Sequence, residues 1–436
     1  MSAETKQETS RLDKVDRRKF LGTAAATAGI LLLKPELVRG TAANSAVRVG
    51  LLGCGGRGTE DATNLIDTGG ARVVALADLF QDQLEKARDN FNKLQQDKGY
   101  AALDTSQLFV GPNAFQQIAA SKEVDAIVIA TPPFYHPQHL EAAVAAGKHV
   151  YLEKPVAVDV PGAKKVMEIG KRAGGKLSLD VGFQIRDCPP FVELVKRIHG
   201  GALGKIICGE SYYFASYLDR PAWPNVTPVE RRLRNWVYDR ALSGDIIVEQ
   251  NIHVIDICNW VLKSHPVKVS ASGGRAGRLT DGDVYGNYNV LFHYPDGVDV
   301  TFSSTQFSKG WWEVTERFFG TKGTSQSPYT GPLGIWGEEP WQFEAPPAKD
   351  AGQAAFSATG KFTTSNLEFA DREKKKAFVE SITSGNFHNQ ADKGAESALS
   401  CIMARTAAYT GREVSWEDML KSHETSDPKI DLSKLR

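Results

Sequence analysis

A glycine-rich turn after an apolar run constrains the fold more than any other part of the sequence. "VRVGLLGCGGRG" is an apolar strand that ends in glycines, and Gly53, Gly55 and Gly58 form the pattern G-x-G-x-x-G. In that pattern the first glycine permits a tight turn, the second lets a pyrophosphate approach the backbone, and the third permits close helix packing. The phosphate would lie at the N-terminus of the following helix. The pattern indicates a dinucleotide-binding unit, or else a bare strand–turn–helix, since glycine-rich turns are common.

An acidic residue at the end of the next strand favours the dinucleotide interpretation. Asp78 closes the run "ARVVALAD". A carboxylate at this position hydrogen-bonds a ribose 2′-hydroxyl and repels a 2′-phosphate. Leu79 and Phe80 follow, with no adjacent arginine to bind such a phosphate. We therefore expect NAD as the cofactor, with NADP less favoured.

Strand-like and helical stretches alternate from the glycine loop to about residue 165. "VDAIVIATPP" and "KHVYLEKP" supply further apolar runs, with the helical "HPQHLEAAVAAG" between them. This alternation is typical of an α/β fold with a doubly wound parallel sheet. Residues 46–165 are therefore predicted to form an N-terminal Rossmann domain that binds NAD(P).

In residues 166–436 strand-like runs follow one another without intervening helices. Runs such as "GKIICGESYYFAS", "YGNYNVLFHY" and "GVDVTFSSTQF" predict a C-terminal α/β domain with an open, mainly antiparallel sheet, and "HYPDGVDV" predicts a hairpin turn. A long helix over about 241–263 would cover one face of this sheet. Residues 325–365 are rich in Gly, Pro and Ser and are expected to be irregular. Two helices are predicted near the C-terminus, at about 368–384 and 392–409.

Composition excludes several classes of protein. Lys plus Arg and Asp plus Glu both number 52 in a chain of 436 residues, so the basic bias typical of nucleic-acid or membrane-surface proteins is missing. The five cysteines are scattered without a CxxC pair, which argues against a disulfide framework and a structural zinc site. We expect them to be small buried hydrophobes.

The N-terminus has the pattern of an export signal. Arg17 and Arg18 precede an uncharged run, 20–33, which is shorter than the roughly 20 apolar residues that span a bilayer. Small residues follow in "RGTAANSA". Residues 1–45 are therefore predicted to be a twin-arginine signal peptide, which implies a periplasmic or otherwise exported protein without a stable membrane span. The alternative is an amphipathic or disordered tail.

Two further segments are expected at the crevice outside the carboxyl ends of the parallel strands, where such folds bind ligands. "YLEKP" places Glu153 and Lys154 directly after a strand, and "TPPFYH", from Thr131 to His136, ends the preceding one. A lysine there could hydrogen-bond a substrate hydroxyl and ease its proton loss. The alternative is a solvated lysine.

The apolar stretch "DIIVEQNIHVIDICNW" carries a polar face. Glu249, His253 and Asp256 follow at spacings of four and three, which on one helix place their side chains on the same side. Burying even a neutral polar group without partners costs roughly 2–7 kcal/mol, so this face requires a partner. A ligand site, a metal site and a buried hydrogen-bond cluster are the three interpretations. One histidine with two carboxylates and no second histidine in the stretch does not favour a metal, and none is predicted.

These segments together resemble the glucose–fructose oxidoreductase/inositol dehydrogenase superfamily, often called Gfo/Idh/MocA, over nearly the whole chain after the N-terminal segment. The resemblance rests on the glycine loop, Asp78, "ATPPFYH", "EKP", "GFQIR", the H-x-x-D helix and the closing "AFVESITSG…GREVSW". It implies a Rossmann domain that holds NAD(P) and a C-terminal domain that binds substrate and often mediates oligomerisation, so a homo-oligomer is expected. It also implies that the last helices of the chain pack back near the first domain. The cofactor-binding residues are then predicted to be Gly53, Gly55, Gly56, Arg57, Gly58, Asp78, Thr131, Pro132, His136, Glu153 and Lys154.

The resemblance also implies catalytic roles. Lys154 would orient and polarise the reacting hydroxyl, and His253 would be the general base, a role that suits imidazole because its ordinary pKa lies near neutrality. Asp256 would fix the histidine tautomer or contact a substrate hydroxyl. The family usually has an Asp four residues before this histidine, within a glycine-rich run. Here Glu249 occupies that position, so the substrate or the acid–base assignment can differ from that of the sugar dehydrogenases.

Substrate contacts are predicted on both sides of the crevice. Gln184 and Arg186 follow a strand in "GFQIRDCPP", and Arg234, Trp236 and Tyr238 precede the polar-faced segment. An arginine with two aromatic residues suits a sugar ring by stacking and hydrogen bonding. Each of the five either contacts ligand or packs within the protein.

The predicted export limits the reaction, because no soluble nicotinamide pool exists outside the cytoplasm. An exported enzyme must keep its NAD tightly bound and regenerate it within the site. We therefore expect an oxidoreductase that acts on a sugar, sugar derivative or glycoside. The alternatives are a redox-neutral NAD-dependent glycoside hydrolase and a non-catalytic sugar-binding protein that retains the fold.

Overall fold

The computed structural model of the chain describes residues 46–218, 221–276, 282–344 and 366–435. The predicted signal peptide, residues 1–45, lies outside these ranges. Ala46–Arg436 form one compact unit. No helix within the described ranges has both the length and the apolar character needed to cross a bilayer.

The first part of this unit is a six-stranded parallel sheet in the order β3-β2-β1-β4-β5-β6. Its strands are β1 (Val47–Leu52), β2 (Ala71–Asp78), β3 (Leu108–Val110), β4 (Ala126–Ile129), β5 (His149–Leu152) and β6 (Leu179–Val181). The helices among them are α1 (Gly56–Asp67), α2 (Gln81–Asp97), α3 (Ala114–Ala120), α4 (His136–Ala145) and α5 (Val160–Ala173). Every residue of β4 is buried, as expected for a central strand covered on both faces. The predicted doubly wound sheet is confirmed, and β6 extends it past residue 165.

The second part is built on a nine-stranded sheet in the order β14-β13-β12-β11-β7-β10-β9-β8-β15. Its strands are β7 (Ile206–Phe214), β8 (Lys268–Gly274), β9 (Asn287–His293), β10 (Asp299–Thr305), β11 (Glu313–Gly320), β12 (Gly323–Gln326), β13 (Leu333–Gly337), β14 (Trp341–Phe343) and β15 (Val414–Ser415). The associated helices are α6 (Pro189–His199), α7 (Pro228–Arg234), α8 (Arg240–Ser243), α9 (Ile246–Glu249), α10 (Ile252–Leu262), α11 (Ala370–Ser384), α12 (Ala391–Thr410) and α13 (Trp416–Leu420).

Within the described ranges this sheet is antiparallel at every strand pair except β7 with β10, which confirms the predicted open, mainly antiparallel sheet. In β10, Val300, Phe302 and Ser304 are buried while Asp299 and Thr301 are exposed. This alternation places one face of the sheet against the core, which α10 and α12 complete.

Three local predictions were wrong. Cys208, expected to be buried like the other four cysteines, is exposed. The single helix expected over 241–263 is divided into α8, α9 and α10, because Gly244 and Asp245 have φ angles of +84° and +81° and a turn at Gln250 separates α9 from α10. Residues 325–343, expected to be irregular, complete β12 and form β13 and β14. The glycines and prolines that indicated an irregular segment lie largely at the turns between these short strands.

Candidate functional site

The glycine loop has the geometry that phosphate binding requires. Gly53 has a φ of +97°, and a Cβ there would lie 2.6 Å from the Ala130 carbonyl oxygen. A Cβ on Gly58 would lie 2.0 Å from the Gly53 carbonyl oxygen, so only glycine allows α1 to pack this closely. A Cβ on Gly55, by contrast, would meet no atom within 4 Å. The space in front of the N-terminus of α1 therefore fits the pyrophosphate of a dinucleotide.

A cavity of about 420 Å³ adjoins this loop. Six of the predicted cofactor residues line it: Gly53, Gly55, Gly56, Asp78, Thr131 and Pro132. The Asp78 carboxylate accepts hydrogen bonds from the backbone N–H groups of Cys54, at 2.6 Å, and Phe80, at 2.8 Å. Burial raises the pKa of Asp78 above its ordinary value. These two bonds hold the carboxylate where it could accept hydrogen bonds from the ribose hydroxyls of a dinucleotide.

The second part of the unit supplies the opposite wall of the same cavity. Trp223, Arg234 and Trp236 line it together with Leu233. Arg234 and Trp236, predicted from the sequence to contact substrate, thus lie at the dinucleotide cleft, and their contact with substrate stays a prediction. Tyr238 is 5% exposed; it stacks on Tyr217 and donates a hydrogen bond to the Leu218 carbonyl oxygen.

The two histidines of α4 have different environments. His136 is 1% exposed, and its ring nitrogens lie 2.7 Å from the carbonyl oxygens of Pro155 and Thr131, so it joins the loops after β5 and β4. Burial lowers the pKa of His136 to about 4, although the two carbonyl contacts favour the protonated form. His139, not selected from the sequence, is the histidine that lines the cavity, 2.9 Å from the Thr131 hydroxyl. The spacing of three along a helix that starts at His136 could have identified it.

Lys154 contacts the residue that departs from the family pattern. Its ammonium donates to the Glu249 backbone oxygen at 2.7 Å and to Glu249 Oε1 at 3.1 Å. Both side chains are about seven-eighths buried. The predicted lysine after β5 and the predicted carboxylate of α9 are therefore in direct contact across the two parts of the unit.

His253 lies one turn beyond Glu249, in the first turn of α10, and is 3% exposed. Burial lowers its pKa well below the ordinary value, and the positive charges of Lys154 and Arg57 lower it further. The imidazole is therefore neutral near pH 7, and the same shift makes it a weaker proton acceptor than the ordinary histidine on which the predicted general-base role was argued. Phe183 meets the ring edge to face at 6.4 Å between centroids.

Asp256 and Arg186 are joined to each other. The guanidinium donates two hydrogen bonds to the carboxylate, at 2.8 and 2.9 Å, and the Ser397 hydroxyl donates a third at 2.7 Å. This ion pair of α10 with the turn after β6 holds the helix in place, whereas the roles predicted for both residues at the substrate stay predictions. Gln184 and Asn251 are each about 2% exposed or less. Neither Gln184 Oε1 nor the amide atoms of Asn251 have a hydrogen-bond partner within the described ranges.

Arg57 and Glu153, both predicted cofactor residues, belong to a buried ionic network. Arg57 pairs with Glu153 at 3.0 Å, with Asp61 at 3.0 Å and with Asp371 of α11 at 2.8 Å. Lys375 of the same helix pairs with Asp61 at 2.6 Å. Three carboxylates thus share two cations, and burial raises the pKa of Asp61 to about 7 while those of Glu153 and Asp371 are lowered by the cations. The family resemblance implied that the last helices pack back near the first domain, and α11 does contact α1; its charged side chains in this network were not predicted.

Comparison with known proteins identifies the class. Residues 47–181 match the model of an oxidoreductase family with an NAD-binding Rossmann fold. Residues 191–326 match the model of a GFO/IDH/MocA C-terminal domain. The chain therefore belongs to the Gfo/Idh/MocA family of NAD-binding oxidoreductases, as the sequence motifs predicted.

Three curated relatives are similar over part of their length. An inositol 2-dehydrogenase of Rhizobium meliloti is 25% identical over 66% of this chain and 78% of its own. Inositol 2-dehydrogenase 4 of Saccharopolyspora erythraea is 34% identical over 53% of this chain and 59% of its own. Glycosyl hydrolase family 109 protein 2 of a Shewanella species is 27% identical, and the chain spans about half of its length.

Solved structures share the fold. The aldose-aldose oxidoreductase of Caulobacter crescentus, in complex with glycerol, superposes with a TM-score of 0.65 over 85% of this chain and 99% of its own, at 20% identity. Levoglucosan dehydrogenase in complex with NADH and L-sorbose has the same TM-score, identity and coverage. These likenesses confirm the two-part α/β architecture.

Proposed function

We propose that this protein is an exported enzyme that transfers hydride between a ring carbinol carbon of a sugar, sugar derivative or glycoside and a nicotinamide dinucleotide, NAD rather than NADP, that it keeps bound. The contact of Lys154 with Glu249, one turn before a neutral His253, carries the proposal. The named activities of the inositol dehydrogenases and the aldose-aldose oxidoreductase support a polyhydroxyl substrate.

The side chains at this point can handle the proton that accompanies hydride transfer. A lysine ammonium has three N–H donors, and Lys154 uses two of them on Glu249. The third can donate to the oxygen of a substrate hydroxyl and so favour its ionisation. The neutral imidazole of His253 can accept the hydroxyl proton. When bound, the dinucleotide supplies the two-electron acceptor or donor.

The N-terminal segment supports the exported location and the retained cofactor. Arg17 and Arg18 precede the short uncharged run 20–33. A protein without a soluble nicotinamide pool regenerates its cofactor by passing the hydride to a second substrate. Fusion of residues 1–45 to a folded reporter tests export: the reporter should reach the periplasm, and replacing both arginines with lysine should block it. A reporter that stays in the cytoplasm with the native arginines contradicts the proposed location.

A redox-neutral glycoside hydrolase is the second candidate, favoured by the similarity to the glycosyl hydrolase family 109 protein. In that reaction a ring carbon is oxidised, the aglycone leaves by elimination, water adds, and the hydride returns to the same sugar. A sugar-binding protein without turnover is the third. Supplying one glycoside without an acceptor separates them, because the hydrolase alone releases free aglycone in many turnovers.

One set of experiments tests the oxidoreductase proposal. Protein purified without added cofactor should release NAD on denaturation and should oxidise members of a panel of inositols and aldoses when a second sugar is present. Lys154→Ala and His253→Ala should abolish this turnover. Lys148→Ala is the matched control, because Lys148 precedes β5 at its opposite end and donates to the Ser121 and Val124 carbonyl oxygens. Undiminished turnover in the Lys154 and His253 variants would overturn the assigned chemistry.

A further inference from the structure

One arginine joins the two walls of the dinucleotide cleft. The Arg234 guanidinium lies 4.0 Å from the ring centroid of Phe80, which follows β2, and 4.5 Å from that of Trp223. The side chain is only 9% exposed although it lies at the protein surface. Stacking of a guanidinium against two aromatic rings is favourable, and more so when water is largely excluded.

The same guanidinium is held by carboxylates from both sides. It donates to Asp82, in the first turn of α2, at 2.8 and 2.9 Å, and to Glu230 of its own helix α7 at 2.8 Å. Its hydrogen bonds lower the pKa of Asp82. The bidentate geometry fixes the distance between α2 and α7, since two parallel bonds resist both sliding and rotation.

The segment that carries Arg234, residues 221–236, is held together by hydrogen bonds between its own residues. Trp223 Nε1 donates to the Asn235 side-chain oxygen at 3.2 Å, and Arg231 donates to the Trp223 backbone oxygen at 3.4 Å. Leu233 and Trp236 line the cavity from the same segment. These bonds tie Trp223 to the helix that carries Arg234, and the bond of Arg234 to Asp82 joins that helix to the Rossmann part.

Arg234 lies at the adenosine end of the cavity, because Phe80, on which it stacks, lines the cavity beside Asp78, the predicted partner of the ribose hydroxyls. We propose that Arg234, stacked between Phe80 and Trp223 and bonded to Asp82, is a latch that closes the adenosine end of the dinucleotide cleft and limits how fast the cofactor leaves. The latch deepens the proposed function by naming the residues that retain the cofactor.

The latch also bears on the choice between NAD and NADP. Enzymes that bind NADP commonly pair the 2′-phosphate with an arginine near the ribose. Arg234 lies near that position, but its guanidinium is already paired with the carboxylates of Asp82 and Glu230. A 2′-phosphate would meet the Asp78 carboxylate and would have to break the latch to gain a cation. The same contacts therefore favour retention of NAD and rejection of NADP.

The rate of NADH release tests the latch. Nucleotide-free protein is loaded with NADH and chased with excess NAD, and the loss of NADH fluorescence is followed by stopped flow. Arg234→Ala should release NADH about tenfold faster or more, the combined loss of stacking and of a partly buried ion pair. Asp82→Asn should accelerate release severalfold. Adding it to Arg234→Ala should have little further effect, because both changes remove one bond.

Arg317→Ala is the matched control. Arg317 also pairs with two carboxylates, Glu210 and Glu313, and stacks on Tyr212, but it belongs to β11, no residue of which lines the cavity. Its NADH release should stay within about twofold of the native rate. Native release rates in both Arg234→Ala and Asp82→Asn would overturn the latch. If Arg234→Ala fails to fold, as judged by thermal melting, Asp82→Asn decides alone. The release rate needs no turnover, so a failed sugar oxidation contradicts the proposed function without touching the latch.

Discussion

Replacing Glu249 by Gln tests the unusual carboxylate beside Lys154. The substitution keeps the shape of the side chain, and the bond from Lys154 to the Glu249 backbone oxygen, at 2.7 Å, remains to hold the lysine. What changes is the 3.1 Å bond to Oε1, which becomes a bond to a neutral amide. A hydrogen bond to a charged group contributes about 1.5–3 kcal/mol and a neutral one about 0.5–1.5. The loss is therefore about 1–2 kcal/mol.

If that bond orients Lys154 in the transition state, kcat/KM should fall about 5- to 30-fold. The assay is the steady-state rate on the best sugar of the panel, with the NAD content and melting temperature of each preparation measured in parallel; both should stay native. Glu210→Gln is the control, since it weakens an ion pair of similar length, 2.9 Å from Glu210 to Arg317, in the nine-stranded sheet. A kcat/KM of Glu249→Gln within twofold of the native value would refute the reasoning.

Three further changes should have distinct outcomes. Gly55→Ala should abolish NAD binding without changing the melting temperature, because the new Cβ meets no protein atom and fills only the space of the pyrophosphate. Gly58→Ala should also lower the melting temperature, because its Cβ clashes with the Gly53 backbone oxygen. NAD affinity of Gly55→Ala equal to that of the native protein, measured by calorimetry, would contradict this. The free energy of unfolding should fall as pH drops from about 6.5 toward 4, by up to about 3 kcal/mol, because in that window His136 is protonated only in the unfolded chain. In His136→Asn the free energy of unfolding, measured with urea at each pH, should depend less steeply on pH. Asp256→Asn should destabilise the fold by about 3 kcal/mol by leaving Arg186 without its counter-ion, and an unchanged urea midpoint would count against that ion pair.

The sequence predicted the local features of the fold because local physics determines them. Gly53 and Gly58 are required by a positive φ and a backbone contact a few residues away, and alternating burial along β10 follows from strand geometry. The helix break was not predicted, although Gly244 stands at it in the sequence, because the apolar run that indicated a helix begins only after it, at Ile246. The short strands within 325–343 were missed because their glycines and prolines also typify irregular segments.

The partners of the site residues could not be predicted in the same way. Arg234 meets Asp82 across 152 residues of sequence, and Arg186 meets Asp256 across 70. At such separations the sequence does not indicate which arginine pairs with which aspartate. Their contacts follow from how the two parts of the unit pack together. Arg234, which was predicted to contact substrate, is thereby placed at the dinucleotide cleft.

The most direct test of the proposed chemistry follows the bound cofactor in a single turnover. The NAD-loaded protein is mixed with the best sugar of the panel, without free cofactor or acceptor, and the near-ultraviolet absorbance of reduced nicotinamide is recorded. The native protein should develop this band up to one equivalent per site. Lys154→Ala and His253→Ala, with the same NAD content, should develop it far more slowly or not at all. A band that forms at the native rate in both variants would contradict the assignment of Lys154 and His253 to the proton transfer.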